Sequence, residues 1–133
     1  MNDYYRKLEV LRSYNELCKH IDDLACDYGE LFTKATKINQ VLHDDTGPSN
    51  HDNSSKVEAM SALLVQKKER LERAIAKRQK IDKALKKLGV RNEYFIRKVG
   101  IDKWPIRKTS KQLKLEYKYS IKLFHRLVDG LEI

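Results

Sequence analysis

Residues 3–42 carry a heptad that leaves the chain few ways to fold. Leu17, Leu24, Leu31 and Ile38 recur every seven residues, and Tyr14, Ile21, Tyr28, Ala35 and Leu42 fill a second series three or four residues away. The alternation places both series on one seam of a long helix, about 60 Å at 1.5 Å per residue. Val10 extends the first series, and Leu8 and Leu11 broaden the face. Gly29 inside this run costs helix stability of about 1 kcal/mol. A second and weaker heptad occupies residues 56–88. Val57, Leu64, Leu71 and Leu85 form one series, interrupted by Arg78; Met60, Ala74, Ile81 and Leu88 form the other, interrupted by Lys67. Lys67 and Arg78 either carry their charges out to water or face acidic residues of the first helix. Neither helix can bury its stripe alone, so the two fold back as an antiparallel hairpin. A homodimer through this hairpin would bury what one hairpin leaves exposed.

Between the heptads lies HDDTGPSNHDNSSK, residues 43–56, whose Gly-Pro pair and Asn, Asp and Ser content favour turns. It reads as a flexible connection. Ser54 or Ser55 suits the cap of the second helix, with Glu58 three residues after Ser55 as in a capping box. The side chains of His43, Asp44, Asp45, His51 and Asp52 suit a metal, but nothing in a polar connection preorganises them. Cys18 and Cys26 sit eight residues apart on one helix, about 12 Å along its axis, too far for a disulfide between them. Reduced cysteines fit a cytoplasmic protein. No apolar run reaches the roughly 18 residues of a membrane span.

Charge is unevenly distributed. Residues 1–55 carry six Lys/Arg against ten Asp/Glu, residues 56–85 nine against four, and residues 86–133 thirteen against five, within an overall net charge of +9. A basic C-terminal third favours phosphate contact through coulombic attraction and counterion release. After Gly89, which suits a left-handed helix cap, Arg91 to Val99 reads as a short helix with Tyr94, Phe95, Ile96 and Val99 as its apolar face. Trp104 reads as a plug in a small C-terminal core, with base stacking as the other option. Two short helices follow, from about Pro105 to Leu113 and from about Tyr117 to Val128, with a corner at Lys114–Glu116. This is helix-turn-helix spacing, in which the second helix enters a DNA major groove. Ile106, Leu113, Leu115, Ile121, Leu123, Leu127 and Leu131 are the expected buried positions, and Ser110 the small residue where the two helices press together. Tyr117, Lys118, Tyr119 and Lys122 then face base edges, and Lys108, Lys111, His125 and Arg126 suit phosphates. A basic amphipathic helix packed on the rest of the protein is the competing reading.

The order of elements resembles a family of small phage proteins from Gram-positive hosts, the RinA/ArpU/LtrC-like late transcription regulators. Their C-terminal part is similar to region 4 of bacterial sigma factors. Thr109-Ser110-Lys111-Gln112-Leu113 matches the first motif helix and Glu116-Tyr117-Lys118-Tyr119-Ser120-Ile121-Lys122 the start of the recognition helix. Lys114 stands where that turn usually has Gly, Ser120 where an aliphatic residue is usual, and Thr109 replaces another aliphatic. The resemblance implies double-stranded DNA as partner, binding upstream of phage late genes, and help to the host RNA polymerase.

The expected architecture is therefore all-α: a helical hairpin over 1–88 with its linker at 43–56, then a helix-turn-helix unit over 89–133. The expected function is a DNA-binding regulator with no cofactor. The alternatives are a protein-interaction or inhibitor module acting through the hairpin, and a phage terminase small subunit. Enzyme chemistry finds no support: the four histidines are scattered, no Gly-rich phosphate loop occurs, and the carboxylates fall on solvated faces.

Overall fold

The computed structural model describes the backbone of residues 3–44 and 51–133, and side chains over 3–37 and 56–133. Among the described residues every regular element is helical: α1 (Asp3–Arg12), α2 (Tyr14–Asp44), α3 (His51–Lys86), α4 (Val90–Ile96), a π-helical turn (Arg97–Ile101), α5 (Ile106–Leu113) and α6 (Tyr117–Asp129). The long helices α2 and α3 pack together antiparallel. Tyr14 meets Asp82 at 2.7 Å and Asp27 meets Lys67 at 4.0 Å, so rising numbers on one helix oppose falling numbers on the other.

Several boundaries differ from the heptad-based expectation. The helix expected over 3–42 is interrupted at Ser13. Its hydroxyl donates to the carbonyls of Glu9 (2.9 Å) and Val10 (3.1 Å), while the main-chain bonds Ser13 N–H to Glu9 (3.0 Å) and Leu17 N–H to Ser13 (2.9 Å) carry the chain from α1 into α2. The turn-prone composition of 43–56 does not stop either long helix where expected. α2 runs through Asp44 and α3 already begins at His51, so Ser54 and Ser55 lie inside α3 and not at its cap. The remainder of that linker, residues 45–50, lies outside the described residues, as do the side chains of the His43–Asp52 metal candidates. Gly89 has φ 88° and ψ 161°, an extended conformation open to glycine and not the expected left-handed cap. It instead starts α4, its carbonyl accepting the Glu93 N–H at 2.8 Å.

The chain divides into two compact units. One compact unit combines Met1–Cys18 with Ala76–Ile133, and the other is Lys19–Ile75. In the first unit, Leu8 and Leu11 of α1 join Ile81, Ala84 and Leu85 of α3, Phe95 and Ile96 of α4, Ile101, and Leu123, Phe124, Val128 and Leu131 around one core. Leu11, Leu85, Phe95, Ile96 and Val128 lose all or nearly all contact with water, each burial favouring folding by roughly 1.5–3 kcal/mol. The Phe95 and Phe124 rings stack with centroids 6.1 Å apart. Gly100 lets α1 approach: a Cβ there would lie 3.2 Å from Leu11 Cδ1. Leu8 and Leu11 thus serve the C-terminal core, not the long-helix seam.

In the second unit the seam residues Ile21, Leu24 and Ala74 are buried. Lys67 is half-buried and faces Asp27, as the reading that paired it with the first helix expects.

Candidate nucleic-acid interface

The corner between α5 and α6 is a Schellman motif. Lys114 adopts φ 56°, ψ 42°, its N–H donates to the Lys111 carbonyl at 3.2 Å, and the Leu115 N–H donates to the Ser110 carbonyl at 2.9 Å. These bonds satisfy the last carbonyls of α5 while the left-handed residue turns the chain. α6 begins three residues later. The helix limits and the corner fall where the sequence places them.

Three hydroxyl side chains on these two helices, Thr109, Ser110 and Ser120, are buried. Their hydroxyls donate to the carbonyls four residues back, Thr109 to Pro105 (3.2 Å), Ser110 to Ile106 (2.7 Å) and Ser120 to Glu116 (2.9 Å). No donor is left unpaired by this burial, which removes the main penalty of a polar contact layer. Ser120 is buried and its neighbour Ile121 is 42% exposed; the expected burial of Ile121 is corrected here. The buried face of α6 is Ser120, Leu123, Phe124 and Val128, supported by half-buried Leu127.

α1 fastens the far end of α6. The ammonium of Lys7, almost wholly buried, donates to the Asp129 carbonyl at 2.6 Å, at the helix C-terminus where a cation opposes the macrodipole favourably. Asp3 lies 3.0 Å from the same ammonium, and its carboxyl is held below its ordinary pKa by hydrogen bonds from Lys7 and Arg6. Tyr4 stacks on His125 with centroids 4.0 Å apart and planes 13° from parallel. His125, expected as a phosphate contact, is therefore engaged by α1.

The exposed side of α6 carries Lys118, Lys122 and Arg126, one helical turn apart and spanning about 12 Å. Tyr119, 44% exposed, lies beside them. Among the described residues no carboxylate lies within ion-pair distance of these three cations, nor of Lys111 or Lys114. Tyr117 differs: Arg107 covers its ring at 4.7 Å, tying α5 to the first turn of α6. Lys108 points elsewhere, to Trp104, whose indole lies 4.2 Å from the Lys108 ammonium and 4.4 Å from that of Lys98. Trp104 is half-buried between lysines and does not plug the core.

Of the eight expected DNA-facing residues, His125 is engaged by Tyr4 and the other seven separate. Lys118, Lys122, Arg126 and Tyr119 share the outer side of α6, Lys111 is exposed on α5, and Tyr117 and Lys108 sit in cation–π contacts. Arg107 and Lys114 join the basic surface without having been picked out as site residues, whereas Lys98 pairs with Asp102 at 3.5 Å. Arg107 stands ten residues before the ring it covers, a pairing that no local spacing signals. Among the described residues no helix is long and apolar enough to cross a membrane, and no group of three His, Cys, Asp or Glu could hold a metal. No family model, curated protein or solved structure matches this chain.

Proposed function

We propose that the protein is a DNA-binding transcription regulator of phage type that sets α6 in the major groove of duplex DNA. The observation that carries this reading is the unpaired Lys118–Lys122–Arg126 stripe on the outer side of the second helix of a helix-corner-helix unit. A helix held through its inner face by α5 and at its C-terminus by α1 keeps its N-terminal half open, the part that meets base edges in such motifs. Lys118, Tyr119 and Lys122 occupy that half. Arg126, Lys111 and Lys114 suit the phosphates on either side, where arginine and lysine fix position and not sequence. Lys108, over the Trp104 ring, adds positive charge beside the motif. The family resemblance supplies the setting: late phage genes, a host RNA polymerase as second partner, and the cytoplasm of a bacterial host.

The test is selection of duplexes from a random pool by the full chain, followed by fluorescence anisotropy across a salt series. The expected result is enrichment of one site, with affinity falling steeply with salt. Each phosphate contact removed lowers the log–log slope by about 0.9. Lys118→Ala with Lys122→Ala should weaken the selected site more than tenfold, whereas absence of any enriched duplex, or unchanged binding by that double variant, would overturn the reading.

A further inference from the structure

In the unit Lys19–Ile75 most of the described seam side chains are half-buried. Among its described side chains only Ile21, Leu24 and Ala74 are buried hydrophobics. Two helices meeting along one seam cover one stripe each, and helical propensity alone does not hold such lengths in water. The two flanks of the seam on α2 have different chemistry. Asp23, Asp27, Glu30 and Lys34 follow one another at four, three and four residues on one flank, where Asp27 meets Lys67 of α3. Ala25, Gly29, Phe32 and Thr36 repeat the same spacing on the other flank and carry no charge.

That uncharged flank holds a ridge beside a notch. Phe32 is 54% exposed, with the Tyr28 ring 6.3 Å away on the preceding turn. A Cβ at Gly29, one turn back, would meet nothing within 4 Å. The hydroxyls of Thr33 and Thr36 donate at 2.9 Å to the carbonyls of Gly29 and Phe32 in the same helix, so neither needs a water acceptor for its proton. On α3, Val65 lies two residues before Lys67, hence on the side of that helix away from the Asp27–Lys67 pair, and is 57% exposed.

We propose that this flank of α2 binds a second copy of the same chain, with two α2 helices crossing antiparallel and Phe32 of each seated over Gly29 of the other. The self-complementarity favours this occupant over a different protein. In a two-fold contact residue i meets j and j meets i, and a ridge and notch three residues apart on one helix satisfy both halves of that condition at once. Glycine allows the close approach that any Cβ would block. The acidic residues Asp23, Asp27 and Glu30 of α2 lie on the opposite flank of the seam from this contact, and Asp22 borders it. Two phenylalanines would leave solvent, adding apolar burial at each copy's exposed Phe32.

The test is the mass of the full chain by sedimentation equilibrium, without DNA, so its outcome is separate from that of the duplex-binding test. The expected mass is twice the 15.7 kDa of one chain. Phe32→Glu should raise the dissociation constant by at least about tenfold. Gly29→Leu is the sharper variant. In the single chain its side chain enters open space and improves helix propensity, so far-ultraviolet helicity should hold or rise while the dimer is lost. A monomeric wild type up to about 100 µM would overturn the proposal. So would a dimer that persists unchanged in Gly29→Leu, because it must then form elsewhere.

Discussion

Replacing Lys114 by glycine should stabilise the protein. Lys114 is an L-residue held at φ 56°, ψ 42°, where Cβ crowds the following carbonyl at a cost of about 1–2 kcal/mol. Glycine removes that crowding but gains more freedom in the unfolded chain, a cost of roughly 0.5–1 kcal/mol. The difference leaves a net gain of about 0.5–1 kcal/mol, or about 2–4 °C in Tm for a domain of this size. The two Schellman bonds, Lys114 N–H to Lys111 and Leu115 N–H to Ser110, use main-chain atoms only and survive the change. Lys114 is exposed on a chain of net charge +9, so relief of charge repulsion must be separated from relief of strain. Lys114→Ala does this, since it removes the charge and keeps the Cβ. Trp104, the single tryptophan, lies in the same compact unit as the corner and reports its unfolding in urea. The reasoning fails if Lys114→Gly is no more stable than Lys114→Ala.

Two further outcomes follow from the core and the titrating groups. Phe95→Ala removes a wholly buried ring stacked on Phe124 and should cost about 3–5 kcal/mol, read as a fall in the urea midpoint; a loss below about 1 kcal/mol would contradict the packing described. Stability should be level across neutral pH and fall at both ends. Asp3 and Glu132 have carboxyl pKa values lowered by hydrogen bonds from Lys7 and Arg6, and from Lys87, so their contribution is present above the ordinary 3.8 and 4.5 and is lost as pH falls through the lowered values. Burial first, and then the hydrogen bond to Asp82, raise the Tyr14 phenol above its ordinary 10.0. Its contribution is whole below that pH and is lost as pH rises through the raised value. Urea titrations across pH with wild type and Tyr14→Phe check the alkaline arm: a Tyr14→Phe variant that weakens in parallel with wild type there would refute it.

Local periodicity was enough to determine the helical class, the two long helices and the corner of the last two. The heptads name their own seams, and the change from apolar spacing to Lys114–Glu116 marks the turn, because helix limits depend on residues within one or two turns of each other. The proposed recognition stripe of Lys118, Lys122 and Arg126 was legible for the same reason: residues four apart share a helix face whatever the helix packs on. What lay out of reach was every choice between faces made by distant chain. Leu8 and Leu11 fit the long-helix seam equally well by spacing, and only the core built from α4 and α6 draws α1 to them. Ser120 rather than Ile121 is buried because it shares the face of α6 that carries Leu123, Phe124 and Val128 into the core, a condition that α6 alone does not carry. Lys7 is buried because the end of α6 offers a carbonyl, and Trp104 sits between lysines because the π-helical turn at Arg97–Ile101 brings Lys98 to it. Each of these outcomes is set by pairwise contact across long separations in sequence, which only the tertiary structure decides.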